Sequence, residues 1–153
     1  SFNTGVRTFE AASYLRRLGA DTTGIRQLVQ DDLKTYSAKS DVVRSAEVLP
    51  GGIALAACPE GTESAPLIAA QAADELLTIR GIAASFVVCR EGDNVIISGR
   101  SLGDINVQLL LESLGGGGHA TIAAVKLKDT DLKSAYALLK KTIKNQIREE
   151  KLT

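Results

Sequence analysis

Apolar residues at Phe9, Ala12, Leu15 and Leu18 recur at the spacing of one helix face, and Gly19 stands where a helix C′ glycine belongs. Thr22 or Thr23 then caps a second helix carrying Ile25, Leu28 and Val29. From Asp32 to Val48 the chain is mixed and polar, with Leu33, Tyr36, Val43 and Ala46 as its apolar side. Leu49-Pro50-Gly51-Gly52 breaks any helix. The pattern thus predicts a small helical unit over residues 1–49 and a separate domain over 50–153.

Downstream the periodicity changes. Ile53–Cys58 is a short apolar run after glycines, the mark of a buried strand. Ser64 or Ala65 to Thr78 is rich in Ala and Leu and helical, with Pro66 tolerated in its first turn. Ala84–Cys89 and Asn94–Ser98 are strands joined by a hairpin at Arg90-Glu91-Gly92-Asp93. Asp104 is the expected cap of a helix through Ile105, Val107, Leu110, Leu111 and Leu114, which the glycines at 115–118 end. Thr121–Val125 is a further strand. A last helix lines up Leu132, Tyr136, Leu139, Ile143 and Ile147. The order from Gly52 is β-α-β-β-α-β-α, an α/β fold in which helices pack on a mixed sheet.

Composition narrows what such a fold does. Apolar residues make up 44% but aromatics only 4%, so Ala, Leu, Ile and Val build the core. Eighteen basic residues balance 18 acidic ones, which argues against binding long nucleic acid, where excess cationic charge displaces counterions. A small anion held by a few placed donors remains compatible with neutrality. Cys58 and Cys89 have no CxxC spacing, and buried thiols in a reducing, cytoplasmic setting are expected. No apolar run is long enough to span a bilayer. The chain starts at Ser1 and has no Met, so it is expected to be part of a longer protein.

Candidate chemistry gathers at Gly115-Gly116-Gly117-Gly118-His119. Glycines accept backbone angles that turn successive N–H groups toward one point, and without Cβ atoms they let a phosphate approach. His119, the only histidine, adds an imidazole donor. Taken alone, such a run is a helix end and a turn. A second element is Ser98-Gly99-Arg100-Ser101 at a strand end. There Arg100 can offer its guanidinium to a phosphate and Ser101 a hydroxyl. Together the two predict a cleft of converging donors. Ala120 and Thr121 follow His119, so this is no P-loop. One histidine and scattered carboxylates do not supply a di-metal site.

Ser98-Gly99-Arg100-Ser101, Ile105-Asn106-Val107-Gln108, Leu114 through His119 and Ala123-Ala124, in that order and spacing, resemble the DHH-associated C-terminal domain. This is the substrate-binding lobe of DHH phosphoesterases. The string Thr4-Gly5-Val6-Arg7-Thr8-Phe9-Glu10-Ala11-Ala12 resembles the end of the DHH domain in the membrane-anchored cyclic di-AMP phosphodiesterases of Gram-positive bacteria. The resemblance implies that residues 1–49 are the helical tail of a DHH catalytic domain plus linker, and 50–153 the DHH-associated domain. It implies a substrate that is a cyclic or linear dinucleotide, with phosphates held by Arg100, Ser101, Asn106, Gly115, Gly116, Gly117, Gly118 and His119. It further implies two manganese ions bound by a DHH lobe outside this chain and none within it. On this basis the chain alone is expected to bind but not to cleave. The parent would be anchored at the cytoplasmic face of a membrane, with homodimerisation open. Two other activities stand beside it: an oligoribonuclease that also dephosphorylates 3′-phosphoadenosine 5′-phosphate, and a non-catalytic RNA- or tRNA-binding module.

Overall fold

The computed structural model describes residues 22–149. The helix expected over Thr8–Leu18 and the Thr4–Ala12 string lie outside the described residues, as do the side chains of Ile25, Leu28 and Val29. Two compact units divide the chain at 38/39. Helix α1 (Thr22–Arg44) is continuous where the sequence suggested two segments.

In the second unit the expected order is present, with two short additions. Strand β1 (Glu47–Leu49) precedes β2 (Ile53–Ala57), α2 (Ala65–Leu76), β3 (Ala84–Glu91), β4 (Asn94–Ser101) and α3 (Val107–Glu112). Then come β5 (Gly117–Gly118), β6 (Ile122–Leu127) and α4 (Leu132–Arg148). The sheet runs β1-β2-β3-β4-β6-β5. Among the described residues only β2 and β3 pair in parallel. A parallel pair needs a crossover, and α2 provides it. Helix α1 ends at Arg44, and β1 joins the sheet ahead of Pro50.

Strand alternation assigns the faces. Phe86 and Val88 of β3, Val95 and Ile97 of β4, and Ala123 and Val125 of β6 share one core with Leu110 and Leu111 of α3 and Leu139 and Ile143 of α4. Ser85, Val87 and Cys89 point the other way, where the buried Ser85 hydroxyl donates to the Ala73 carbonyl of α2 at 2.6 Å. Helix α2 packs over β3 and β4. Ile122 is 53% exposed on this second face, and Ala124, Lys126 and Gly117 beside it are exposed too. Part of one sheet face is therefore open.

Two expectations change. Asp104 does not cap α3; Asn106 does, its Oδ1 accepting the Leu109 N–H at 3.1 Å. Nor are Cys58 and Cys89 free thiols. The β2–β3 register sets Ala57 opposite Val88, and one step further Cys58 faces Cys89 with 4.9 Å between Cα atoms, paired as a disulfide. Both are buried as expected. Parallel register, invisible in spacing, brings together these residues 31 positions apart.

Candidate functional site

The end of β4 carries Arg100 and Ser101, and their alternation sends them to opposite faces. Arg100 pairs with Ser85 and with Ile122, so it lies on the open face at the edge of α2. Its Nε donates to Asp74 Oδ1 of α2 at 2.9 Å, and Nη1 donates to the Gly99 carbonyl at 2.9 Å. Ser101 belongs to the core face and is buried. Its hydroxyl accepts the Gly103 N–H at 3.0 Å, fixing the turn after the strand. The expected pairing of guanidinium and hydroxyl on one phosphate gives way to one anchor and one turn.

The glycine run is ordered along its length. Gly115 has φ 94°, and the Gly115 and Gly116 amides donate to the Glu112 and Leu111 carbonyls at 3.0 and 2.8 Å. That is a Schellman end to α3. Gly117 and Gly118 form β5, opposite Ala124 and Ala123. The His119 amide donates to the Ile122 carbonyl at 2.6 Å, and the Ile122 amide returns a bond at 3.3 Å. Two of the glycine amides expected to converge on an anion, those of Gly115 and Gly116, are thus committed to a helix end, and the His119 amide is committed to a hairpin. What the run offers is close approach. A Cβ at Gly116 would overlap the Ala124 carbonyl, and one at Gly118 the Ile122 carbonyl, whereas at Gly117 nothing lies within 4 Å. Steric demand explains the glycines at 116 and 118; at 117 it does not.

These pieces meet through the hairpin between β5 and β6. The Ser101 amide donates to the Thr121 carbonyl at 3.0 Å and the Val107 amide to the Ala120 carbonyl at 2.9 Å. The strand end, the capped start of α3 and the His119 turn are thereby tied into one corner. By register, Ser85 of β3, Arg100 of β4 and Ile122 of β6 form one row, which His119, just past β5, continues through its backbone bonds to Ile122. Strands are spaced about 4.8 Å, so Arg100 and His119 stand roughly 10 Å apart at their backbones. Between them lie the exposed Ile122 and, one row on, the open space before Gly117. A cationic group, an imidazole, the apolar Ile122 between them and the open space before Gly117 suit an extended anionic ligand. Asp74 escaped sequence reading: it sits 26 residues before Arg100 on a helix face, and no local spacing marks it.

Elsewhere the chemistry is thinner. A depression lined by Glu60, Gly61, Thr62, Arg90, Glu91 and Gly92 opens at the far end of β3 and β4, where two carboxylates disfavour an anion. Among the described residues no group of three or more His, Cys, Asp or Glu side chains is placed to hold a metal ion. No helix among them is long and apolar enough to cross a membrane.

The DHHA1 domain model matches residues 51–149. The chain is 48% identical over 136 residues to the cyclic-di-AMP phosphodiesterase PdeA of Listeria monocytogenes, covering 88% of this chain and 21% of that protein. It is 43% identical over 144 residues to the cyclic-di-AMP phosphodiesterase GdpP of Geobacillus thermodenitrificans, covering 94% and 22%. The chain thus spans about a fifth of these relatives. An exopolyphosphatase-related protein from Bacteroides fragilis shares the fold with a TM-score of 0.66 at 16% identity, covering 88% of this chain and 42% of the other.

Proposed function

Because this chain belongs to the DHHA1 domain family, we propose that it is the substrate-binding lobe of a phosphodiesterase that hydrolyses cyclic di-AMP to linear di-AMP. The observation that carries the reading is the row holding Arg100 and His119 on the open sheet face, with room for a ligand at Gly117. In this reading the free N–H groups of Arg100 hold the phosphate that is not attacked, or the released 5′-phosphate. His119 donates to a phosphate nearer the reaction centre. The exposed backbone of Gly117 and Gly118 lets the ligand lie close to the sheet. Asn106 and Ser101 serve the site from beneath, by starting α3 and by holding the Gly103 turn. Such contacts fix orientation and keep water out, which lowers a barrier chiefly through positioning.

The metal chemistry belongs to a DHH lobe outside this chain, for which the resemblance implies two manganese ions. We assign the upstream residues to the tail of that lobe and place the parent at the cytoplasmic face of a membrane. The chain by itself therefore binds without cleaving. The deciding experiment is calorimetric titration of the chain with cyclic di-AMP, linear di-AMP and a tRNA acceptor stem. Dinucleotide binding is expected, weakened by Arg100→Ala and by His119→Ala, each by roughly 1.5–3 kcal/mol if it removes a charge-assisted hydrogen bond. Binding of the tRNA stem alone would overturn the reading, and manganese-dependent hydrolysis by the pure chain would overturn its non-catalytic part.

A further inference from the structure

Arg100 is held before any ligand arrives, and the way it is held singles out another residue. Its side chain is 14% exposed while that of its partner Asp74 is 64% exposed, so a largely buried cation is gripped by a carboxylate at the rim of α2. The rim is itself fixed. The residue before Asp74 accepts the buried Ser85 hydroxyl bond, and Ser85 is the β3 neighbour directly opposite Arg100. Helix and strand are therefore tied at adjacent positions along the same row.

A guanidinium carries five N–H groups. Asp74 takes the one on Nε and the Gly99 carbonyl takes one on Nη1, which together fix the plane of the group. Among the described residues the other three have no hydrogen-bond partner. We propose that Asp74 is a positioning residue: it clamps Arg100 from the Nε side so that the remaining N–H groups are presented, already oriented, to a ligand phosphate on the open face. This rests on the dinucleotide-binding reading above. Two effects oppose each other. A carboxylate close to an anion site repels the ligand, but Asp74 is mostly solvated, where screening weakens repulsion over distance. The hydrogen bond that orients the guanidinium acts at 2.9 Å, in direct contact and with no solvent between, so orientation outweighs repulsion.

The test compares Asp74→Ala and Asp74→Asn in the full chain, with cyclic di-AMP as the probe. Asp74→Asn keeps an oxygen acceptor for Nε and removes the charge. Asp74→Ala should weaken binding roughly five- to tenfold, Asp74→Asn should stay within about twofold of wild type, and Asp74→Ala should add nothing in an Arg100→Ala background. Slow solvent exchange of the Arg100 Nε–H, followed by NMR, should be lost in Asp74→Ala and kept in Asp74→Asn. Equal or tighter binding by Asp74→Ala, or an undiminished loss when Arg100 is already absent, overturns the proposal. A wild-type chain that binds no cyclic di-AMP overturns the functional reading and the ligand role with it, and the exchange signal still reports separately whether Asp74 grips Arg100.

Discussion

Gly116 and Gly117 are neighbours, yet a methyl group would have opposite consequences at the two positions. At Gly116 it would strike the Ala124 carbonyl and the Val125 side chain. Gly116→Ala should therefore destabilise the fold by about 1–3 kcal/mol, the usual cost of overpacking, measured as a shift in the denaturant midpoint. At Gly117 the added carbon meets nothing and the backbone needs no positive φ, so Gly117→Ala should leave stability within about 0.5 kcal/mol. It should nonetheless weaken dinucleotide binding, because the methyl occupies the space a ligand would use. Unchanged affinity in a folded Gly117→Ala would place the ligand elsewhere. Asn106 allows a similar separation. Asn106→Ala removes the cap on α3 and should cost about 1 kcal/mol, whereas Asn106→Asp keeps the cap and should hold the melting temperature. Since Asp also adds negative charge beside the proposed anion site, a fall in affinity with Asn106→Asp marks the proximity of the ligand phosphate.

Between elements, the link from β1 to α4 depends on pH. Glu47 of β1 accepts bonds from Tyr136 and Lys140 of α4 at 2.9 and 2.6 Å. The Lys140 bond first, and the Tyr136 bond second, hold its carboxyl below the ordinary 4.5. Burial first, with Glu47 second, raises the Tyr136 hydroxyl above its usual value. A carboxyl lowered by folding contributes stability above its unfolded value and loses it as pH falls through the folded one. Wild type should thus exceed Glu47→Gln in melting temperature at pH 7, and the two should converge as pH drops below about 4.5. A constant difference from pH 7 to pH 3 would refute the linkage. This pair also shows what sequence could not reveal. The amphipathic stripe of α4 was legible because Leu139 and Ile143 repeat at helical spacing, and both are buried. Strand β1 was missed because three residues carry no period, and its partner Tyr136 lies 89 positions away. β5 was missed because glycine has little strand propensity, and only the β6 ladder makes Gly117–Gly118 extended. The site followed the same rule: Arg100 and His119 were visible as residue types, but their common face, the inward turn of Ser101 and the grip of Asp74 depend on register.

For the molecule as a whole, charge decides between a dinucleotide lobe and a nucleic-acid module. Eighteen cationic residues meet 18 anionic ones, and several cations are already paired, as Lys140 with Glu47, Lys126 with Glu91 and Arg90 with Glu60. On the proposed function, attraction for an anion then comes from the few donors of the Arg100–His119 row and not from a field spread over the surface. Binding to a polyanion loses roughly one decade of affinity per decade of salt for each phosphate neutralised, so a partner making 6–10 such contacts would bind about 10³- to 10⁵-fold more weakly between 50 and 200 mM salt. A cyclic dinucleotide has two phosphates, and the row can neutralise no more than these. Its affinity should therefore fall by no more than about 10- to 20-fold over the same range, and single-stranded RNA should bind weakly throughout. Isothermal titration at both salt concentrations measures the two slopes directly. A steep slope with tight RNA binding would mean that cations beyond this corner engage the ligand, and the open sheet face would then be a track for a strand and not a seat for a dinucleotide.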